Sequence, residues 1–240
     1  MILAYLPGED YERLVPNFEV VSLVQGTTLY NIREQISWAY FPNFGFISQI
    51  FTSEDGTNVE VGMIGNEGMV GILSLFGEDF FPYQTVVSSS GNAIKISIDI
   101  IKSEFYRSGS LHSLLLEYFR SVLIQSNLLA VCNCFHTVKA RLSCWLLRAC
   151  DRANSDVLNL TQEYLSYMIG TSRSEVAIFA KLLQQEELIS YKRGKITILN
   201  KLGLEKACCE CYKIGKVELE KLLFNYSKVS GETKALGKGA

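Results

Sequence analysis

The stretch LNLTQEYLSYMIGTSRSEVAIFAKLLQQEELISYKRGK, residues 158–195, carries the clearest structural pattern in this sequence of 240 residues. Thr161 is a candidate helix N-cap, and Gly170 tolerates the positive φ that a tight turn between two helices requires. Thr171 or Ser172 can cap the second helix. The apolar positions at helical spacing are Tyr164, Leu165, Met168 and Ile169, then Val176, Phe179, Ala180 and Leu183. The stretch therefore predicts a helix-turn-helix.

A basic hairpin is predicted after the second helix. Residues 188–190 and 195–199 alternate like two short strands. The tip between them is formed by Tyr191, Lys192, Arg193 and Gly194. Its positive charge suits the phosphates of a nucleic-acid backbone. This pattern predicts a β wing.

The second helix carries side chains that can read base edges. In a DNA-binding helix-turn-helix this helix enters the major groove, with its N-terminal residues nearest the bases. Arg173 can bond O6 and N7 of guanine, and Glu175 can accept from a cytosine amino group. The expected DNA contacts are Thr161, Gln162, Thr171, Ser172, Arg173, Ser174, Glu175, Lys181, Lys192 and Arg193. A structural helical hairpin with ordinary surface charges is the alternative that this segment leaves open.

These residues resemble the DNA-binding domain of the Crp/Fnr family of bacterial transcription regulators. The residues that carry the resemblance are Leu160, Thr161, Gln162, Glu163, Leu165, Gly170, Ser172, Arg173, Val176, Leu182, Leu188, Ile189, Tyr191, Arg193, Gly194 and Ile196. A weaker likeness extends upstream, so the resemblance covers roughly residues 14–212. It implies a homodimer with an N-terminal effector-sensing β-roll, a central dimerisation helix and a C-terminal winged helix.

The resemblance also assigns individual positions. Arg173 falls on the base-reading arginine of the family. Ser174 and Ile178 fall where the best-known members carry a base-contacting Glu and Arg, so the operator of those members is not assumed for this chain.

Composition and charge fit a cytoplasmic DNA-binding protein. The chain is 48% hydrophobic and 20% charged, which is ordinary for a globular protein. Residues 1–136 hold 6 basic and 14 acidic side chains, whereas residues 137–240 hold 17 and 11. The basic half contains the helix-turn-helix, as an electrostatic footprint for DNA requires. No secretory signal, membrane span, disulfide framework or catalytic constellation is expected, so we predict that the chain is not an enzyme.

Residues 14–98 are predicted to form an antiparallel β-roll of the cyclic-nucleotide-binding type. The expected strands are residues 18–24, 38–41, 46–51, 59–64, 85–87 and 93–98. Turns are expected at residues 25–26, 43–45, 55–56, 65–66 and 90–92. With the winged helix this gives an α+β fold with four segments, which are the β-roll sensor (1–110), the dimerisation helix (111–136), the DNA-binding domain (137–226) and a disordered tail (227–240).

The predicted roll offers little to a charged effector. Between Arg33 and Lys95 it holds no Lys or Arg, so a bound cyclic phosphate would lack its usual cationic partner. It also holds no His or Cys, which excludes the ligands of haem, iron–sulfur clusters and zinc. We therefore predict no cofactor, no metal and an effector other than cyclic AMP. The expected pocket residues are Met63, Gly68, Met69, Phe80, Tyr83 and Gln125, for each of which core packing is the alternative.

A long helix is predicted over residues 111–136. The seam expected to pair with a second copy is Leu111, Leu115, Tyr118, Val122, Gln125, Leu129, Cys132 and His136. A helix buried within a monomer is the alternative. Residues 139–152 and 202–224 are predicted to be helical as well. Cys208, Cys209 and Cys211 lie close together, but no fourth ligand is near them in the sequence, so inert packing is expected.

The sequence thus predicts a homodimeric regulator that places two recognition helices on a near-palindromic operator. Its expected partners are double-stranded DNA, a second copy of itself, an unknown small-molecule effector and, if it activates transcription, RNA polymerase. A small-molecule-binding roll that has lost DNA binding remains the alternative.

Overall fold

An antiparallel β sheet forms the N-terminal part of the protein in a computed structural model that describes residues 1–229. A short helix α1 (Gly8–Leu14) precedes it. The strands are β1 (Glu19–Leu23), β2 (Thr28–Tyr30), β3 (Trp38–Thr52), β4 (Asn58–Ile64) and β5 (Gln84–Ser97). They pair in the order β1-β5-β3-β4, and β2 adds to β5. The expected antiparallel roll is confirmed, with the Asp55-Gly56 turn between β3 and β4.

Two of the expected turns are wrong, because residues 43–45 and 90–92 lie inside the long strands β3 and β5. The two strands pair along most of their length, with register shifts near Phe44. A Cβ at Gly91 would overlap the carbonyl oxygen of Phe44, and a Cβ at Gly45 would overlap that of Ser89. These glycines therefore permit a close backbone approach within the sheet rather than a chain reversal.

Helices α2 (Ile98–Tyr106) and α3 (Ser110–Phe135) follow the sheet. Among the described helices, only α3 has the length and composition that could cross a membrane. In this fold α3 is a packing helix, because Leu111, Leu114 and Leu115 are buried in the core of the roll.

The face of α3 that the sequence analysis assigned to the dimer seam points into the protein. Leu111, Leu115, Tyr118 and Cys132 are almost fully buried within the chain, and Val122, Gln125 and Leu129 line an internal cavity. The four buried residues cannot pair with a second copy without unpacking the core, whereas Val122, Gln125 and Leu129 are half-buried. The correction has a physical reason: apolar residues occupy more than one side of α3, and spacing alone does not say which side faces inward.

The C-terminal part is a winged helix-turn-helix, as expected. Its helices are α4 (Val138–Ala153), α5 (Gln162–Ile169) and α6 (Arg173–Gln185). Its strands are β6 (Val157–Asn159), β7 (Ile189–Lys192) and β8 (Lys195–Ile198), paired in the order β6-β8-β7. The strand β6 was not expected from the sequence. The core of this C-terminal part contains Leu142, Trp145, Leu146 and Ala149 of α4 together with Val176, Ala180 and Leu183 of α6.

Two further helices, α7 (Lys201–Ala207) and α8 (Glu210–Val229), end the described chain. Helix α8 runs antiparallel to α3, since Cys209 lies beside Cys132 at one end and Asn225 bonds Glu117 near the other. Leu222 and Tyr226 of α8 are buried in the core of the roll. Residues 227–229 belong to α8 rather than to the expected disordered tail, and residues 230–240 lie outside the described residues.

Candidate nucleic-acid interface

Local hydrogen bonds set the start of both helices of the helix-turn-helix. The Thr161 side chain accepts from the Tyr164 amide and caps α5. Gly170 ends α5 with φ 59°, in the left-handed region that glycine enters without a steric penalty. Ser172 caps α6 through the Glu175 amide, and the Glu175 carboxylate accepts in return from the Ser172 amide. The resulting capping box holds the first turn of α6 in place.

The carboxylate of Glu175 is therefore held by hydrogen bonds within the protein. Its carboxylate accepts hydrogen bonds from the Thr171 hydroxyl and from Ser172. The Thr171 hydrogen bond and those of Ser172 lower the pKa of Glu175, so that it is ionised at neutral pH. The carboxylate thus stabilises the start of the recognition helix, a role that the sequence analysis had not given it.

The wing is a tight hairpin whose tip is basic. Lys192 pairs with Lys195, leaving Arg193 and Gly194 as a two-residue turn in which both φ angles are positive, at 50° and 76°. This is the backbone pattern of a type I′ turn, for which Asn-Gly is favoured. Arg193 is therefore held in a left-handed conformation that an arginine rarely adopts.

An open cleft of about 360 Å³ separates α6 from the wing and the start of α5. Four of the expected DNA contacts line it, namely Thr161, Gln162, Arg173 and Arg193. The Tyr191 hydroxyl donates to the Leu160 carbonyl oxygen at 2.8 Å and ties the wing to the chain that enters α5. The fold thus brings the arginine of α6 and the arginine of the wing to one surface.

The remaining expected contacts lie around this cleft. Ser172 and Ser174 are exposed at the start of α6, Lys181 is exposed further along the same helix, and Lys192 is exposed at the wing. Thr171 is half-buried. Ile178 of α6 is 56% exposed, which is unusual for an isoleucine.

Polar contacts join the helix-turn-helix to the roll. Trp145 of α4 donates from Nε1 to Oε2 of Glu60 at 2.6 Å, and the Ser48 hydroxyl donates to Oε1 of the same carboxyl group at 2.6 Å. Burial raises the pKa of Glu60 despite these hydrogen bonds. Arg152 of α4 forms an ion pair of 2.7 Å with Glu67. The DNA-binding unit is thus fixed to the roll by buried polar groups as well as by apolar packing.

The expected effector-pocket residues do not form one pocket. Met63, Tyr83 and Gln125 line a cavity of only about 50 Å³. Met69 is fully buried in the core, and Phe80 is 51% exposed. Gly68 packs so closely on the Tyr118 ring that a Cβ would overlap it. The expected pocket is therefore corrected. Met63, Tyr83 and Gln125 share a small cavity, whereas Gly68, Met69 and Phe80 do not line it.

The structure supplies cations that the sequence analysis missed at the roll. Arg148 and Arg152 of α4 both reach the space between α3 and the roll, where Arg152 also donates to Gln125 at 2.8 Å. They lie more than 50 residues after the roll in the sequence. The sequence of residues 34–94 does not predict these two arginines at the roll, because it is the packing of α4 that places them beside it.

Comparisons with known proteins agree with this architecture. Residues 140–207 match the family model described as a Crp-like helix-turn-helix domain. A solved transcriptional regulator assigned to the Crp/Fnr family, from Eubacterium rectale ATCC 33656, is 17% identical with a TM-score of 0.69, over 86% of this chain and 96% of that one. No curated protein matched this chain significantly.

Two further solved structures have a similar fold. The regulator CLP of Xanthomonas campestris, described as responsive to c-di-GMP, is 18% identical with a TM-score of 0.64, over 79% of this chain and 98% of that one. FixK2 of Bradyrhizobium japonicum is 12% identical with a TM-score of 0.66, over 80% and 98%. At these identities the likeness establishes the fold, while the helix-turn-helix match rests on the sequence itself. Residues 140–207 thus form a Crp-like helix-turn-helix domain, and the chain shares the fold of solved Crp/Fnr transcription regulators.

Proposed function

We propose that this regulator acts in the cytoplasm as a homodimer that reads a near-palindromic operator, with one α6 helix in each of two successive major grooves. The observation that carries the proposal is the cleft between α6 and the wing, which places Arg173 and Arg193 on one exposed surface. Arg173 lies in the first turn of α6, where a recognition helix meets base edges. Arg193 and Lys192 lie on the wing, where phosphates pass.

The exposed side chains of α6 suggest how bases are read. Arg173 suits guanine through two parallel hydrogen bonds, and exposed Ile178 suits the methyl group of thymine. Glu175 remains with the helix cap, since its carboxylate already accepts three hydrogen bonds. We infer that Arg173 and Ile178, rather than Glu175, carry most of the discrimination between operators.

A corrected seam on α3 supports the homodimer. Leu116, Leu123 and Ala130 are exposed and recur every seven residues. Arg120, Asn127 and Cys134 interleave with them at alternating steps of four and three, the pattern of a coiled-coil seam. This face lies on the opposite side of α3 from the buried residues of the roll. A second copy of the same helix is the occupant that this spacing fits.

We propose further that the effector is not cyclic AMP. The cavity at the expected effector site is about 50 Å³, whereas pockets for small-molecule ligands usually measure about 300–1,000 Å³. Arg148 is the cation that lines this cavity, and Arg152 nearby is already paired with Glu67. Titration calorimetry should give no saturable heat with cyclic AMP, and binding in the micromolar range would contradict the proposal.

Selection of bound duplexes from a random pool, followed by a salt titration on the enriched sequence, tests the DNA-binding proposal. A two-fold-symmetric motif whose affinity falls steeply with salt is expected. Enrichment of no motif by the wild-type protein, with weak binding that is alike for all sequences, would contradict sequence-specific recognition.

A further inference from the structure

Three cysteines and one histidine converge where α3 ends and α8 begins. The ligand atoms of Cys132, His136, Cys209 and Cys211 all lie within 4.8 Å of one another. The Cys132 and Cys209 sulfur atoms are 3.5 Å apart, and the Cys211 sulfur lies 3.6 Å from Nδ1 of His136. All three thiols are buried, and the histidine is half-buried. The cluster lies apart from the recognition helix and from the cavity of the roll.

The fold builds this cluster from two distant segments. Cys132 lies in the last turn of α3, and His136 directly follows the helix, with its amide donating to the Cys132 carbonyl oxygen. Cys209 and Cys211 flank Glu210, the first residue of α8. Cys208 faces elsewhere, since its thiol donates to the Glu205 carbonyl oxygen at 3.1 Å. The end of α3 and the residue after it thus supply two ligands, Cys132 and His136, to the pair formed by Cys209 and Cys211.

The spacing of the four atoms fits one metal ion. Three thiolates and one imidazole are a common tetrahedral ligand set for structural zinc, with metal–sulfur bonds of about 2.3 Å. In a tetrahedron with such bonds the ligand atoms are about 3.8 Å apart, close to the two distances found here. A multinuclear iron–sulfur cluster needs ligands spread around several iron atoms. Four donors confined within 4.8 Å therefore favour a mononuclear site.

The second ring nitrogen of His136 also has the partner expected of a metal ligand. Its Nε2 lies 3.3 Å from Oε1 of Glu210. Metal-bound histidines typically donate their other N–H to a carboxylate or carbonyl oxygen, which fixes the tautomer and the direction of the ring. Glu210 in this position leaves Nδ1 as the free lone pair, directed towards Cys211.

We propose that Cys132, His136, Cys209 and Cys211 form a tetrahedral site for a thiophilic divalent metal ion such as Zn²⁺. Such an ion ties the end of α3, immediately before α4, to the start of α8, which follows the wing and the short helix α7. The site clamps the C-terminal helix onto α3. It does not depend on the proposed choice of operator or effector.

The test uses the full-length protein, reduced and stripped of metal with a chelator. Titration with Co²⁺ should give one ion per chain, with the visible ligand-field bands of a tetrahedral site and thiolate charge-transfer absorption. Zn²⁺ should displace it at the same stoichiometry and raise the melting temperature. Cys209→Ser and Cys211→Ser should each abolish these bands. Cys208→Ser and Cys134→Ser are matched controls that should bind Co²⁺ as the wild type does.

Glu210→Gln provides a variant that leaves all four ligands in place. Loss of such a partner to a metal ligand typically lowers affinity about 10–100-fold, so the Zn²⁺ affinity should fall by that factor while the Co²⁺ spectrum stays tetrahedral. Far-ultraviolet circular dichroism confirms that each variant is folded. The proposal is overturned if the reduced wild-type protein binds no stoichiometric metal, or if folded Cys209→Ser and Cys211→Ser bind Co²⁺ with unchanged spectra.

Discussion

Arg152 of α4 donates from Nε to Oε1 of Glu67 at 2.7 Å, and the two side chains are only 7% and 3% exposed. The same guanidinium donates to Gln125 of α3 at 2.8 Å. One arginine of the DNA-binding unit thus bonds both the roll and the long helix. Because a buried charge without its partner is strongly unfavourable, this contact couples the position of α4 to the turn that holds Glu67.

Glu67→Gln should therefore destabilise the protein substantially. It leaves Arg152 buried without its counter-charge, which costs about 3–5 kcal/mol of unfolding free energy. Urea unfolding measures the loss, and exposed Glu54→Gln is a control that should change stability by less than about 0.5 kcal/mol. Adding Arg152→Met to Glu67→Gln should recover part of the loss. A double variant whose losses simply add would show that the two residues are not coupled.

The corrected seam on α3 predicts a variant that separates chains without unfolding them. Leu123 is 52% exposed, so Leu123→Glu adds like charges to the proposed interface but not to the core. Sedimentation should show a wild-type dimer and a Leu123→Glu monomer with an unchanged circular dichroism spectrum. Leu202→Glu, at an exposed leucine of α7, is the control and should remain dimeric. A Leu123→Glu protein that still sediments as the wild-type dimer would rule out this seam.

The cap of the recognition helix predicts a pH-dependent effect. The Thr171 and Ser172 hydrogen bonds hold the pKa of Glu175 below its usual value, so its charge stabilises the fold above the unfolded-state pKa. That contribution is lost as pH falls through the lowered pKa. Glu175→Gln should therefore melt at a lower temperature than wild type at neutral pH, and the difference should disappear in acid. Thermal scans at both pH values measure it, and an unchanged difference in acid would contradict the assignment.

The wing predicts opposite changes in stability and binding from one substitution. Arg193 has a left-handed backbone with φ 50°, and Asn is the residue favoured before Gly in such a turn. Arg193→Asn should raise the unfolding free energy by up to about 1 kcal/mol, because Asn enters the left-handed region at a lower cost than Arg. It should also weaken binding to all DNA, because a phosphate-facing charge is lost. Lys192→Gln is the control and should weaken DNA binding without a gain in stability. An equal change in unfolding free energy for Arg193→Asn and Lys192→Gln would refute the argument that Arg193 is strained.

Local signals in the sequence are sufficient for the caps and the turn of the helix-turn-helix. Thr161, Gly170 and Ser172 act through hydrogen bonds and backbone angles within a few residues, so the sequence alone predicts both caps and the turn. Other features depend on where a residue lies in the folded protein. Gly45 and Gly91 resemble turn residues until the pairing of β3 with β5 shows that their backbones meet there.

Long-range contacts explain what sequence patterns missed. The inward face of α3 is set by α8 and the roll, and heptad spacing alone cannot choose between faces that are both apolar. Cys132 and Cys209 are 77 residues apart along the chain, yet their sulfur atoms are in contact distance. Arg152 reaches Glu67 across 85 residues. Each of these pairs exists only because α4 and α8 pack against the N-terminal half.

Arg173→Ala distinguishes base reading by α6 from phosphate contact by the wing. Fluorescence anisotropy on the selected operator and on a scrambled duplex measures both affinities, with Lys192→Ala as the comparison. We predict that Arg173→Ala reduces the free-energy difference between the two duplexes by about 1–3 kcal/mol, while Lys192→Ala weakens both alike and leaves that difference unchanged. Equal losses on operator and scrambled DNA for Arg173→Ala would contradict base reading by α6.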